Sequence, residues 1–301
     1  MTTTINTVAV LGTGVLGSQI IMQAAYHGKQ VVGYDVSQEL LDRLPARWEW
    51  MRGFYRKDLP DFDEQRFDHA IASITTATDL ATAVADADLV IEAIPEDLGL
   101  KRKVWADVGA AAPERTIFAT NSSSLRPSDF AAATGRPDRF LALHFANMVW
   151  LHNTGEVMRT PQTDDAAFDA MLAFAAEIGL EPIAIRKETP GYLLNSLLIP
   201  LLNAAARLYV NGVADPADID KTWKVATGAP EGPFEIFDVV GFNVAWNISS
   251  HSDDPDQRRF AELLRQGSDA GKTGRADGEG FYRYDGNGDV VGPVARWQLS
   301  E

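Results

Sequence analysis

Short apolar runs alternate with stretches of helical spacing through the first half of the chain. Thr7–Leu11 reads as a buried strand and 31–34 as a second. Between them Ile20, Ile21, Ala24 and Ala25 keep helical spacing until Gly28 ends the helix. Segments 89–94, 116–119 and 140–144 continue as strands, and 157–158 with 182–185 close the series. Strands alternating with helices predict βαβ units, hence a Rossmann-type, doubly wound, mostly parallel sheet. After Thr189-Pro190-Gly191 the spacing becomes helical: Leu193, Leu197, Leu201, Ala205 and Leu208 predict a long helix over 192–211. Asp215-Pro216-Ala217-Asp218 reads as a cap and first turn, with further helices over 235–249 and 256–266. The expected organisation is an α/β domain over 1–187 and an all-α C-terminal domain over 188–301. The first helix of the second domain is more apolar than a small core requires, which predicts a homodimer interface there.

Composition narrows the function classes. Hydrophobic residues make up 46% and charged residues 23%, the balance of a folded globular protein. No uninterrupted run of about eighteen apolar residues exists, so no membrane-spanning helix is expected. Lys and Arg total 27 against 42 Asp and Glu, a formal charge of −15 that repels nucleic acid and anionic membranes. There is no cysteine, which excludes disulfides, thiolate metal sites and a cysteine nucleophile. No basic-then-apolar leader opens the sequence, and the expected location is cytoplasmic. His27 at a helix end, His69 in a polar helix and His251 in a Ser-Asp-rich turn read as solvated, and no ligand spacing links His152 to a second metal-binding residue, so no metal is expected.

Gly12-Thr13-Gly14-Val15-Leu16-Gly17 follows a strand and opens a helix in the pattern G-x-G-x-x-G. The first glycine makes the turn, the second admits a pyrophosphate against the backbone, and the third lets helix and strand pack closely. Asp35 ends the second strand, eighteen residues past the last glycine. A carboxylate there accepts from ribose hydroxyls and repels a 2′-phosphate, so the expected cofactor is NAD(H) rather than NADP(H).

Three further segments suit carbonyl chemistry. Ala119-Thr120-Asn121-Ser122-Ser123-Ser124-Leu125 follows a strand at the edge where Rossmann ligands bind, His144 ends another strand, and Glu156 opens the next. Hydride reduction of a ketone leaves a developing alkoxide that needs a proton and nearby donors. Imidazole supplies the proton, a carboxylate fixes its tautomer, and serine or asparagine holds the oxygen. Spacing alone does not pair His144 with Glu156.

The stretches Asp88-Leu89-Val90-Ile91-Glu92-Ala93-Ile94-Pro95-Glu96-Asp97-Leu98, 119–125, His144-Phe145 and Pro190-Gly191-Tyr192-Leu193-Leu194-Asn195 resemble the 3-hydroxyacyl-CoA dehydrogenase family. Gly232-Pro233-Phe234-Glu235 and Gly278-Glu279-Gly280-Phe281-Tyr282 carry the resemblance through the second domain. It implies an NAD-binding domain followed by a helical, dimerising one. It also implies that His144 is the acid/base, that Glu156 is its partner, and that Ser123 and Asn195 bind the substrate oxygen. Glu96, Lys101, Asn121 and Asn147 fall where the family lines the cofactor and its nicotinamide.

The chain also departs from the family. The family's Phe-Phe-Asn-Pro after the histidine is Phe145-Ala146-Asn147-Met148 here, followed by Val149-Trp150. Met148 and Trp150 are therefore expected to form a substrate wall. Positions matching the family's coenzyme-A contacts hold Met51, Asp58 and Ala276, which bind no phosphate, while Arg47, Arg52, Arg56 and Lys57 are either a basic patch or a solvated helix face. The resemblance is strongest to members that reduce β-dicarbonyl compounds. The expected activity is thus NADH-dependent reduction of 3-keto or diketo compounds to 3-hydroxy compounds, reversibly. The alternative is a 3-hydroxyacyl-CoA or 3-hydroxybutyryl-CoA dehydrogenase with an acyl-CoA substrate. A non-catalytic NAD-binding protein is the more distant rival, and it has no use for Ser123, His144, Glu156 and Asn195 together.

Overall fold

The computed structural model describes residues 4–286 and 288–297. The chain divides into two compact units, 1–193 and 194–301. The first unit is built on eight strands: β1 (Thr7–Leu11), β2 (Gln30–Tyr34), β3 (Thr75–Ala77), β4 (Leu89–Glu92), β5 (Ile117–Thr120), β6 (Phe140–Phe145), β7 (Thr154–Arg159) and β8 (Glu181–Ile185). They form one sheet in the order β3-β2-β1-β4-β5-β6-β7-β8. β1 to β6 run parallel, while β7 pairs antiparallel to β6 and β8 follows β7. The expected doubly wound, mostly parallel sheet is present.

Helices cover both faces: α1 (Val15–Tyr26), α2 (Gln38–Asp42), α3 (Leu44–Asp58), α4 (Glu64–Ser73), α5 (Leu80–Val84), α6 (Leu98–Ala111), α7 (Ser128–Ala131) and α8 (Asp165–Glu177). Along β1, Val8 and Val10 join the core shared with α1, α3, α4 and α8, whereas Ala9 and Leu11 join the one shared with α5, α6 and α7. Two-sided burial explains the unbroken apolar run of this strand. β3 escapes the sequence pattern because it is a three-residue edge strand, Thr75-Thr76-Ala77, with no buried position. Asp63, Asp79, Asp97 and Asp164 each cap a helix by accepting a backbone N–H of its first turn.

α9 (Tyr192–Val210) leads from the first unit into the second, which continues with α10 (Pro216–Thr227), α11 (Pro233–Val240), α12 (Phe242–Ser250) and α13 (Pro255–Asp269). The single helix expected over 235–249 is two helices, because Gly241 at φ +85 breaks it and Phe242 N–H turns to Thr273 O at 2.8 Å. A short antiparallel pair, β9 (Tyr282–Tyr284) and β10 (Val290–Pro293), adds strands to a unit expected to be all helical. α9 has a mean hydropathy of 1.4 over an 18-residue window. By length and composition it could cross a bilayer, contrary to the expectation from uninterrupted runs, because its leucines outweigh Asn195, Asn203 and Arg207. Only 22% of that window is buried.

Two carboxylates tie the second unit together. Asp220 accepts from Phe234 N–H, Glu235 N–H and the Tyr282 hydroxyl at 2.8–3.0 Å. Asp238 accepts from Phe281 N–H, Tyr282 N–H and the Tyr284 hydroxyl at 2.8–2.9 Å. Burial pushes both carboxyls up to about 6, more than these donors pull them down. A carboxyl raised above its unfolded value near ~3.9 contributes its stability below that value and loses it as pH rises through about 6. In urea unfolding, the wild type should therefore gain about 1 kcal/mol relative to Asp238→Asn as pH falls from ~7.5 to ~5. A difference that stays constant with pH would show that Asp238 keeps an ordinary carboxyl in the folded state.

Candidate active site

The parallel strands end on one edge, and the loops after β1, β4 and β5 meet there. In the glycine loop, Gly12 has φ +93, and a Cβ on it would lie 2.5 Å from Ala93 O; one on Gly17 would lie 1.9 Å from Gly12 O. Only glycine allows the turn and the helix behind it to close this tightly. A Cβ on Gly14 would meet nothing, so this side of the loop is open. It forms one wall of a cleft of about 280 Å³, whose other walls are Glu92, Ala93, Ile94, Glu96, Lys101, Asn121, Ser123 and Ser124.

Asp35 closes on the same loop. Its Oδ2 accepts from Thr13 N–H at 2.8 Å and from Thr13 Oγ1 at 2.7 Å, and its Oδ1 accepts from Val36 N–H at 2.8 Å. A carboxylate has about four acceptor positions, which leaves one for a ribose hydroxyl. Glycine loop, open cleft and carboxylate together fit a dinucleotide, and Val15 and Leu16 lie in the same wall.

Behind the cleft stands a buried ion pair that the motifs do not announce. Lys101 Nζ meets Glu92 Oε1 at 2.5 Å and Glu96 Oε2 at 3.2 Å, with Lys101 and Glu92 essentially inaccessible. Thr120 Oγ1 satisfies the other Glu92 oxygen at 2.8 Å. Glu96 Oε1 gathers the serine loop: Ser122 Oγ, Ser123 N–H, Ser124 N–H and Leu125 N–H all donate to it. Burial alone would raise the Glu96 carboxyl; those donors and the Lys101 ammonium instead bring it down to about 2. Asn121 takes another part, with Oδ1 accepting from Phe145 N–H at 3.0 Å and so joining the serine loop to the end of β6.

The antiparallel register of β6 and β7 sets His144 opposite Glu156. Spacing left the two unpaired; the ladder brings His144 Nδ1 within 2.9 Å of Glu156 Oε2. On the other side of the ring, Nε2 lies 3.1 Å from Ser123 Oγ. Glu156 Oε1 accepts from Leu193 N–H at 2.9 Å. Tyr192, unassigned in the sequence, stacks on the imidazole with ring centres 4.3 Å apart and donates its hydroxyl to Ser122 O at 2.6 Å. Burial, then the charges of Glu96, Glu156, Glu92 and Glu188, raise its phenol far above the ordinary range, so it stays a neutral donor. Asn195 lies on the first turn of α9, just past the division between the units.

The expectation for Trp150 needs correction. Its indole is 4% exposed, packs on Tyr55 and Phe54, and donates to Asp58 Oδ2 at 2.9 Å. It is core, and it occupies Asp58. Met148 is half-buried against the same core and has φ +60. The arginines of α3 are engaged as well: Arg47 donates to Thr13 O, Arg52 meets Glu49, Glu64 and Asp68, and Arg56 meets Glu64. With Arg56 and Lys57 exposed and Arg52 and Arg56 paired to acidic neighbours, this is a solvated, ion-paired face rather than a free basic patch.

Profiles of the 3-hydroxyacyl-CoA dehydrogenase NAD-binding domain and C-terminal domain match residues 7–189 and 191–284. The chain belongs to the 3-hydroxyacyl-CoA dehydrogenase family. It is an NAD-dependent oxidoreductase acting on the CH–OH/C=O couple. It is 36% identical to the mitochondrial hydroxyacyl-coenzyme A dehydrogenase of Rattus norvegicus over 92% of this chain and 90% of that one. It is similar to a solved diketoreductase described as acting in dual catalysis of dicarbonyl compounds, at 54% identity, TM-score 0.91, and coverage of 94% and 100%. It is also similar to the (S)-3-hydroxybutyryl-CoA dehydrogenase of Ralstonia eutropha, at 31% identity, TM-score 0.80, and coverage of 94% and 100%.

For this dehydrogenase, Asp35 gives a direct test of cofactor choice. The unmutated enzyme should use NADPH poorly, and Asp35→Ala should narrow the gap in kcat/KM by removing the repulsion of the 2′-phosphate. Equal kcat/KM for NADH and NADPH before mutation would overturn the role of this carboxylate.

Proposed function

We propose that the enzyme reduces uncharged 3-keto and 3,5-diketo compounds, such as β-keto esters, to 3-hydroxy compounds. The line Ser123–His144–Glu156 carries the reading of the chemistry. When bound, NADH supplies the hydride that adds to the 3-keto carbon as the C=O π bond breaks toward oxygen. Ser123 holds that oxygen, and the protonated imidazole of His144 gives it the Nε2 proton. Glu156, accepting from Nδ1, keeps Nε2 directed at the oxygen and balances the imidazolium. In reverse, Nε2 takes the hydroxyl proton, and because oxidation releases a proton overall it is favoured at higher pH.

The engaged arginines of α3, together with Met51 in the core and Asp58 held by Trp150, support an ester rather than a coenzyme-A thioester. A 3′-phosphate and pyrophosphate would also approach a chain of formal charge −15. Parallel kinetics with acetoacetyl-CoA and a 3,5-diketo ester test the proposal. The ester should match or exceed the thioester in kcat/KM, and His144→Ala should lose about 10²–10⁴-fold in kcat while still binding NADH. A thioester preferred by orders of magnitude would make the enzyme a 3-hydroxyacyl-CoA dehydrogenase, like the 3-hydroxybutyryl-CoA dehydrogenase of Ralstonia eutropha, instead.

We also infer a homodimer formed through the helical unit. Leu197 and Val225 are 75% and 79% exposed, and α9 has more apolar surface than its own unit covers. A purely monomeric sedimentation profile at micromolar concentration would refute it.

A further inference from the structure

The loop after β6 has Met148 where the family pattern has proline. Met148 adopts φ +60, a conformation closed to proline, whose ring holds φ near about −65°, and unfavourable for methionine. The strain is held by contacts from α1. Met148 N–H, a donor that proline lacks, reaches Gln19 Oε1 at 2.9 Å, and Val149 N–H reaches the same oxygen at 3.2 Å. Gln19 lies two residues past the last glycine of the dinucleotide loop and is 3% exposed.

The polarity of these bonds runs outward. A backbone N–H can only donate, so Met148 and Val149 fix which end of the Gln19 amide is its oxygen. The other end can then only donate, and Gln19 Nε2 lies 2.8 Å from Asn147 Oδ1. Asn147 Oδ1 is thereby committed as an acceptor. Its NH₂ group, on an exposed residue just past the end of β6, is left to donate elsewhere.

We propose that Gln19 is a positioning residue that, together with the left-handed turn at Met148, orients Asn147 so that it presents an N–H donor, not a carbonyl, to a carbonyl oxygen of the bound reactants. That oxygen belongs to the nicotinamide carboxamide or to the ketone. The inference rests on the reading of this edge as the reaction site. It accounts for the departure from the family's proline and for a buried glutamine facing a loop from another part of the sheet.

A mutant cycle tests it. Gln19→Glu keeps an acceptor for Met148 and Val149 but has no hydrogen for Asn147, whose amide should turn over. NADH affinity is measured by fluorescence titration without substrate, and ketone kcat/KM at saturating NADH. We expect a loss of about ten- to hundredfold, the scale of one unmade hydrogen bond at a polar site. The loss falls on the NADH Kd if the donor serves the carboxamide, and on ketone kcat/KM with unchanged Kd if it serves the ketone. In an Asn147→Ala background, Gln19→Glu should change neither quantity by more than about twofold, since the residue it acts through is gone. Equal losses in both backgrounds would make Gln19 a structural brace and overturn the proposal. So would unchanged values for Gln19→Glu or for Asn147→Ala alone. If Gln19→Glu fails to melt cooperatively, Gln19→Leu replaces it in the same cycle. The NADH titration needs no turnover, so it separates failure of this inference from failure of the proposed substrate class.

Discussion

The candidate active site depends on the place where the sheet stops being parallel. In an antiparallel pair, residues directly opposite each other project from the same face with their Cβ atoms about 4.5–5.5 Å apart. The pairing of β6 with β7 puts His144 and Glu156 in such a pair, so their 2.9 Å contact follows from strand register rather than from loop conformation. A slip of one residue would send Glu156 to the opposite face and leave the imidazole without its carboxylate. The same strand end delivers His144 to the edge where the parallel strands β1, β4 and β5 finish, beside the glycine loop and the serine loop. Register therefore fixes the His144–Glu156 pair, and sheet topology brings it to the edge that holds the glycine loop.

Local signals in the sequence were legible where one segment carries the whole message. The glycine loop, the helix behind it and Asp35 are readable because turn, spacing and charge lie within one βαβ unit. Long-range pairings were not. Neither the distance from His144 to Glu156 in sequence nor the residues between them specify a hairpin, and only the family resemblance joined them. β3 was invisible because an exposed three-residue edge strand needs no apolar run. Gly241 broke a helix whose spacing looked continuous, since Phe242 bonds to Thr273, thirty-one residues away. Trp150 was misassigned for a related reason. Its chain position beside the site says nothing of the α3 residues Tyr55 and Asp58 that receive it.

Buried carboxylates, placed by the fold and hard to read from sequence, tie the remaining loops. Glu96 gathers the serine loop, Glu156 holds the start of α9, and Asp220 and Asp238 hold the turns of the second unit. In each case backbone N–H groups donate to an anion, a charge-assisted bond stronger than a neutral one. The outcomes differ with what faces the carboxylate. Against burial, the serine-loop donors and then Lys101 bring Glu96 down; for Asp220 and Asp238 burial, helped by neighbouring carboxylates, outweighs the donors and drives them upward. Buried ion pairs seldom stabilise more than apolar packing would, but losing one partner strands the other charge. The Glu92–Lys101 pair is therefore better understood as a constraint on conformation than as a source of stability. It holds Glu96, and through Glu96 the backbone of Ser123, at a fixed place relative to His144. A site that must align a hydride donor, an oxygen and a proton within a few tenths of an ångström gains more from that fixity than from the energy an apolar substitute would return.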